Sequence, residues 1–361
     1  MDDHSRDTEE PVGGSISRPT LKDVAREANV SLKTASRVLN DERYVRPEVR
    51  KRVQAAIVSL GYRSNDLART LKLGTTRTIG LVIADISNPF YAAFAQGVAR
   101  IARRRGYTVV LSASDEGLPA EREYVELLVR QRIAGLLVVP AAGDHSYLGS
   151  ERSRGLPIVA VDRPLEGLDN DCVLVENEAG ARAMTAHLIG HGRRRIALLS
   201  GSPDIYTYAM RLRGYRLAVE SAGCPQIIRL ISPTIEGAAE ATVALMSETE
   251  PPDAICCVNN RITVGVLGAL RRLGMSVPDE LAVVGFDDFE LSDVVRPGLT
   301  MVRQPAVELG TTAATLLIDR IEGIESGPPR AITLPVELMV RDSCGSHNGF
   351  AMDGQERFAT E

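Results

Sequence analysis

The sequence predicts an α/β protein with a small N-terminal three-helix head, a short hinge and a body of two doubly wound parallel-sheet lobes. Three observations carry this reading. Basic charge is concentrated in one short block near the N-terminus. That block contains three segments whose apolar residues recur at helical spacing. From residue 78 onward, continuous apolar runs alternate with helical segments, the pattern of parallel strands covered on both faces. A chain of 361 residues is long enough for two or three domains, each with its own core.

Charge separates the head from the body. Residues 18–77 hold 14 Lys/Arg against 6 Asp/Glu, a balance of +8 in a chain whose net charge is −5. All four lysines, Lys22, Lys33, Lys51 and Lys72, fall inside this block. A compact basic module on an acidic body points to a polyanion partner for the module alone. Residues 1–18, beginning "MDDHSRDTEEPVGG", are acidic and polar, with no apolar leader core, and are expected to be a disordered tail. Runs such as "GLLVVPAA" are far too short to span a bilayer. A cytoplasmic protein with no membrane partner is expected. Cys172, Cys224, Cys256, Cys257 and Cys344 show no C-x-x-C spacing and read as buried free thiols.

The head is expected over 19–63. In "TLKDVAREA", Thr20 caps a helix and Asp23 stands three residues on; Leu21, Val24, Ala25 and Ala28 line one face. Asn29 tolerates the left-handed backbone of a tight turn. Ser31 caps the next helix, in which Ala35, Val38 and Leu39 point inward and Leu32, Lys33, Ser36 and Arg37 outward. Two short helices joined this way form a helix-turn-helix. Pro47 opens a third helix with Val49, Val53, Ala56, Ile57 and Leu60 on its apolar face, and Gly61 ends it. The hinge, 64–76, begins "SNDLARTLKLG". It carries Leu67 and Leu71 one helical turn apart, with Asn65 in the place of a cap. It is too short for a helix that is stable alone in water.

The body, 77–343, starts with "TIGLVIA" and a helix from Pro89 to Arg105. Further helices are expected over 119–131, 177–190, 206–222, 235–247 and 260–273, separated by runs such as "PIVAVD", "RIALLSG", "AICCV" and "LAVVGFDD". Some nine strand–helix units exceed one sheet, so two lobes are expected, with a ligand cleft outside the carboxyl ends of the strands. Asp85, Asp162, Asn259 and Asp287 each end an apolar run and so face that cleft; capping the next helix or turn is the competing role for Asp85 and Asp162. Carboxylates, an amide and the guanidinium of Arg211 suit a ligand with many hydroxyls, and Phe90 can stack on a sugar's apolar face.

The pieces "LKDVA", "VS…TASRVLN", "GY" and "N-x-L-A-R-x-L" together resemble the head and hinge of the lactose-repressor (LacI/GalR) family of bacterial transcription regulators. The resemblance continues through "IGLVIADISNPFYAAFAQGV", "VDRP", "HLIGHGRRRIALLSG", "RLRGY" and "PDAICCVNNRITVGVLGALRRLGMSVPDELAVVGFDD". It implies a repressor that binds a palindromic double-stranded DNA operator as a homodimer under control of a small-molecule effector, a sugar or sugar derivative. It implies a body like a periplasmic sugar-binding protein, whose chain crosses between lobes near 162–173, 302–304 and 331–333. Lobe one would then hold about 77–172 and 304–331, and lobe two about 173–302 and 332–343. By the same resemblance the helix from Ser31 to Leu39 reads bases. Leu32, Lys33 and Arg37 would face base edges, Ser31, Thr34, Ser36 and Asn40 would hold phosphates, and Thr20 belongs to the DNA-binding set. In the hinge, Asn65 would cap a helix that forms on DNA, Ala68 would let it approach the groove floor, and Leu71 would be an apolar wedge between base pairs. Phe90, Asp162, Arg211, Asn259 and Asp287 fall at effector-contacting positions.

Three residues depart from the family pattern. Asn29 stands where the family usually has Gly, Asn259–Asn260 where it often has Asn-Asp, and Ile235 where an aromatic stacker is common. The loss of a carboxylate and a ring disfavours a flat purine as effector. No nucleophile–base set, P-loop or dinucleotide turn is present, so neither an enzyme nor a cofactor is expected. His187 and His191 are four apart, but no third ligand is in view, so no metal is expected. The tail 344–361 is polar, lacks leucine heptads and is expected to be disordered. A solute-binding protein without DNA function is the alternative; the basic head argues against it.

Overall fold

The computed structural model describes residues 19–39, 44–62 and 76–345. The chain divides into two compact units, one ending at Gly74 and the other starting at Thr75. In the first unit, α1 (Leu21–Glu27), α2 (Leu32–Leu39) and α3 (Pro47–Ser59) surround a small core of Val24, Ala25, Ala28, Ala35, Val38, Val53 and Ala56. The capping box at α1 is formed: Thr20 N–H donates to Asp23 Oδ2 at 2.9 Å, and Asp23 N–H donates to Thr20 Oγ1 at 3.4 Å. Asn29 takes the left-handed conformation at φ +50°, the geometry that the turn between α1 and α2 requires. Ser31 Oγ accepts from Thr34 N–H at 3.1 Å and so caps α2. Pro47 stands at the first position of α3. Asn40, Asn65, Ala68 and Leu71, the hinge helix and the tails before 19 and after 345 lie outside the described residues.

The second unit holds two six-stranded sheets. The first is built on β1 (Thr78–Ile83), β2 (Thr108–Ala113), β3 (Gly135–Val138), β4 (Ile158–Val161), β5 (Asp171–Val175) and β11 (Ala331–Leu334), in the order β11-β5-β4-β3-β1-β2 and parallel throughout. The second takes β6 (Ile196–Ser200), β7 (Ile227–Leu230), β8 (Ala254–Cys257), β9 (Ala282–Phe286), β10 (Thr300–Arg303) and β12 (Glu337–Met339), in the order β12-β10-β9-β8-β6-β7, with β12 antiparallel to β10. Strands β3, β4, β8 and β9 are buried along their whole length, which is why they read as unbroken apolar runs.

Helices α4 (Pro89–Arg104), α5 (Leu118–Arg130), α6 (Leu148–Ser153) and α11 (Ala306–Ile321) belong to the first lobe. Helices α7 (Asn177–Gly190), α8 (Tyr206–Ser221), α9 (Ile235–Met246) and α10 (Asn260–Leu273) belong to the second. No helix among the described residues is long and apolar enough to cross a membrane.

The sheets move the expected lobe boundaries. Residues 171–175 form β5 whole, hydrogen-bonded to β4 and β11, so the first crossing lies at 176 and not in 162–173. Likewise β11 runs to Leu334 in the first lobe, and the chain returns to the second only at β12. Ladder pairing places these boundaries, and it leaves no mark in a single apolar run. The expected tail also starts too early: Cys344 is fully buried in the second lobe's core.

Candidate functional site

The head presents one helix outward. On α2, Ala35 and Val38 are buried, while Lys33 and Arg37 are exposed and Leu32 keeps 46 % of its surface in solvent. Leu32 is a large apolar side chain with no core to fill, beside two cations on the same helix. Ser31, Thr34 and Ser36 lie on or beside this face, with Ser31 Oγ and Thr34 Oγ1 2.8 Å apart. Thr20 is exposed, and its hydroxyl also donates to Asp23 Oδ2 at 2.7 Å.

In the second unit, the expected cleft residues converge. Asp85 follows β1, Asp162 follows β4, Asn259 follows β8 and Asp287 follows β9, and loops from both sheets line one space of about 80 Å³ that also contacts Phe90 and Arg211. A larger open groove, about 1100 Å³, shares Phe90, Asp287 and Gln304 with it, but the buried polar groups point into the smaller space.

Arg211, on α8, is 3 % exposed, and its guanidinium is committed on several sides. Nε donates to Asn177 Oδ1 at 2.9 Å, Nη1 donates to Val258 O at 2.6 Å, and Nη1 stands 3.6 Å from Asp287 Oδ1. The group lies 3.7 Å above the Phe286 ring centre. Asp287 is 5 % exposed and accepts a short hydrogen bond from Gln304 Nε2. Desolvation raises its pKa, against the opposing pull of Arg211 and Gln304. Its neighbour Asp288 turns the other way, to Arg303 and Arg341 at 2.9 Å, so only one acid of "FDD" serves the cleft.

Asp162 is the least satisfied group. Its Oδ2 accepts from Tyr91 Oη–H at 3.4 Å, but Oδ1 has no partner. Burial pushes its pKa up to about 6, with Arg163 and Arg211 only partly opposing. Asp162 and Asp287 both hold positive φ, +66° and +70°, a conformation costly for residues with a side chain and concentrated at ligand sites. Asp162 therefore does not act as a cap, whereas the carboxylate of Asp85 does: its Oδ1 accepts from Ser87 N–H at 2.8 Å and Ser87 Oγ–H at 2.6 Å. Asn259 is also an N-cap, accepting from Ile262 N–H at 2.9 Å, while its Nδ2 donates to Tyr208 Oη at 3.2 Å.

Several cleft residues were not singled out from the sequence. Arg163 is buried and forms a two-pronged pair with Glu116, at 2.5 and 2.7 Å. It adjoins Asp162 in "VDRP", so its place beside a strand-end acid was a usable signal. Glu116 is one acid in a polar loop, and nothing local marks it. Tyr91, Tyr208 and Gln304 become visible only through the groups they bond.

The departure at Asn260 also gains a partner. Its Nδ2 donates to Asn88 Oδ1 at 3.0 Å, linking the start of α10 to the start of α4 across the lobes. That same Oδ1 accepts Phe90 N–H at 3.0 Å, so it must be approached by a donor. Asn260→Asp should oppose two acceptors in a buried place. The ligand-free protein should lose about 1–3 kcal/mol, read as a lower urea midpoint, and should expand in small-angle scattering as the lobes part. An unchanged midpoint and radius would refute the latch.

Comparison with known proteins agrees with this division. Residues 20–65 match the model of bacterial regulatory proteins of the lacI family, and residues 185–344 match a periplasmic binding protein-like domain. The chain is 33 % identical over 328 residues to the transcriptional repressor PurR of Photobacterium profundum, covering 90 % of this chain and 98 % of that one. It is 35 % identical over 325 residues to the ribose operon repressor of Halalkalibacterium halodurans, covering 90 % and 96 %. Among solved structures, a lac repressor dimer bound to operator and the anti-inducer ONPF superposes with a TM-score of 0.83 at 27 % identity, covering 91 % of this chain and all of that one.

Proposed function

The chain belongs to the LacI family of bacterial regulatory proteins, a family of DNA-binding transcription regulators and not of enzymes, and from that premise we propose that it represses transcription at a palindromic operator under control of a sugar-class effector. The observation that carries the effector half is the buried set Asp162, Asn259 and Asp287 at strand ends of both lobes, with Arg211 reaching the same space from α8. A guanidinium between carboxylates offers donors and acceptors a few ångströms apart, and each sugar hydroxyl both donates and accepts. Phe90 supplies the apolar wall. The space is far below the few hundred Å³ of a typical small-molecule site, so the effector enters by parting the lobes. It controls DNA binding only through its difference in affinity between the two arrangements. A solved relative, CelR, is described as a complex with cellobiose, at 32 % identity, and another as holding bound ribose, which supports a sugar in this cleft.

For the DNA half, Leu32, Lys33 and Arg37 reach base edges from α2, while Thr20, Ser31, Thr34, Ser36 and Asn40 hold the backbone. A single head reads few bases, so a two-fold dimer reading a palindrome is the economical assembly. Asn65, Ala68 and Leu71 couple the lobes to the minor groove. Sites selected from a random DNA pool should be palindromic, and affinity should fall steeply with salt. Arg37→Ala should weaken operator binding about tenfold to a hundredfold and relax preference at one base pair per half-site, since a bidentate arginine–guanine contact is worth about 1–3 kcal/mol. Equal affinity for operator and scrambled DNA would sink the proposal.

A further inference from the structure

We propose that His187, His191 and Cys344, none of which lines the cleft, form a binding site for a zinc-class transition metal on the second lobe. His187 lies in the last turn of α7 and His191 is that helix's C-cap. Their spacing turns both rings to one side, with centroids 4.6 Å apart. The third donor arrives from the far end of the chain. After β12 the backbone enters a 3-10 turn, Asp342–Cys344, which places Cys344 Sγ 3.1 Å from His187 Nε2. One ligand atom from each residue lies within 4.8 Å of the other two.

The chemistry and geometry both suit such a metal. Two imidazoles and a thiolate are a soft, nitrogen–sulfur donor set that favours zinc over magnesium or calcium. With zinc–nitrogen bonds of about 2.0–2.1 Å and a zinc–sulfur bond of about 2.3 Å, tetrahedral donors stand roughly 3.3–3.7 Å apart. Cys344 Sγ and His187 Nε2, 3.1 Å apart, are already close to that spacing, and His191 is only half-buried. The thiol sits in a defined place: the Thr300 hydroxyl lies 3.2 Å from Cys344 Sγ and 3.0 Å from Arg341 O, the two acceptors its proton can reach. Ser343 is pinned in turn, its Oγ accepting Thr300 N–H at 2.9 Å and donating to Val283 O at 2.6 Å. A fixed outer shell of this kind orients metal ligands. On binding, the thiol gives up its proton to solvent and the metal closes the chain's last described turn onto α7, which ties β9, β10 and α7 together.

The test uses the full chain without a histidine tag and cobalt(II) as a spectroscopic stand-in for zinc. Titration should give one cobalt per chain, with a near-ultraviolet thiolate-to-cobalt charge-transfer band, and zinc should displace it. Zinc should raise the Tm of the wild-type chain. Cys344→Ser should remove the charge-transfer band, and His191→Ala should weaken cobalt binding by more than the roughly tenfold to hundredfold typical of an outer-shell loss. His191 is half-exposed at a helix end, so its variant tests the site even if Cys344→Ser does not fold. Absence of the band in the wild type, or a band and affinity unchanged in His191→Ala, would overturn the proposal.

Discussion

Arg211→Ala should abolish the effector-induced rise in Tm and should also lower the Tm of the ligand-free protein. The two effects have one cause. Arg211 is the cation nearest to the buried carboxylate of Asp287, at 3.6 Å, and it also holds Asn177 Oδ1 and Val258 O. Alanine leaves Asp287 buried with Gln304 alone, along with two unmet acceptors. Breaking a buried pair by removing one partner costs about 3–5 kcal/mol, more than the pair contributes net, because an uncompensated charge stays behind. A thermal-shift panel of sugars and nucleosides would find the effector on wild-type protein. The same ligand on Arg211→Ala should then produce no shift. Asp287→Asn separates the effects: it keeps the shape, and Arg211 keeps Asn177 Oδ1, Val258 O and the Phe286 ring, so it should spare more stability but still lose effector affinity. A full ligand shift in Arg211→Ala would refute the assignment of the cleft.

Gly310→Ala should damage the first lobe severely although it adds one methyl. A Cβ built on Gly310 would stand 2.2 Å from Phe94 O, and one on Gly97 would stand 2.2 Å from Val307 O. The two glycines face each other's helix, so α4 and α11 meet backbone to backbone. Neither carbonyl can swing away without breaking its helix, so the helices themselves must part. Overpacking usually costs about 1–3 kcal/mol, and a clash with backbone belongs at or above the top of that range. Because α4 begins beside Phe90 and α11 begins just after Gln304, parting them should also disturb the cleft wall. Gly268→Ala is the matched control: it lies in helix α10 with nothing within 4 Å of its new methyl, and should stabilise by about 0.5–1 kcal/mol. Chemical unfolding of the two variants side by side decides the matter; similar midpoints would show that the contact between α4 and α11 is softer than the geometry implies.

Much of this could be read locally. Helix bounds such as 177–190 and 260–273 agree with the structure because periodicity and caps are properties of neighbouring residues. Asn29 was legible for the same reason, as one of the few side chains at ease with positive φ. The strand-end polar residues were legible because an apolar run must end where its strand does. Their roles were harder to assign. Asp85 and Asn259 turn out to satisfy local backbone donors, while Asp162 keeps an oxygen without a partner.

The amino-acid sequence by itself determined which segments are helices and strands, which charges belong to the head and which family the chain resembles. These follow from spacings of a few residues, where backbone geometry repeats. Only the tertiary structure decided which strands pair, where the chain crosses between lobes, and which distant groups meet. Asn260 finds Asn88, Arg163 finds Glu116, and Cys344 finds His187 from 157 residues away. Such meetings depend on sheet order and on glycine-mediated helix contacts, which sum over the whole chain and leave no local periodicity to read.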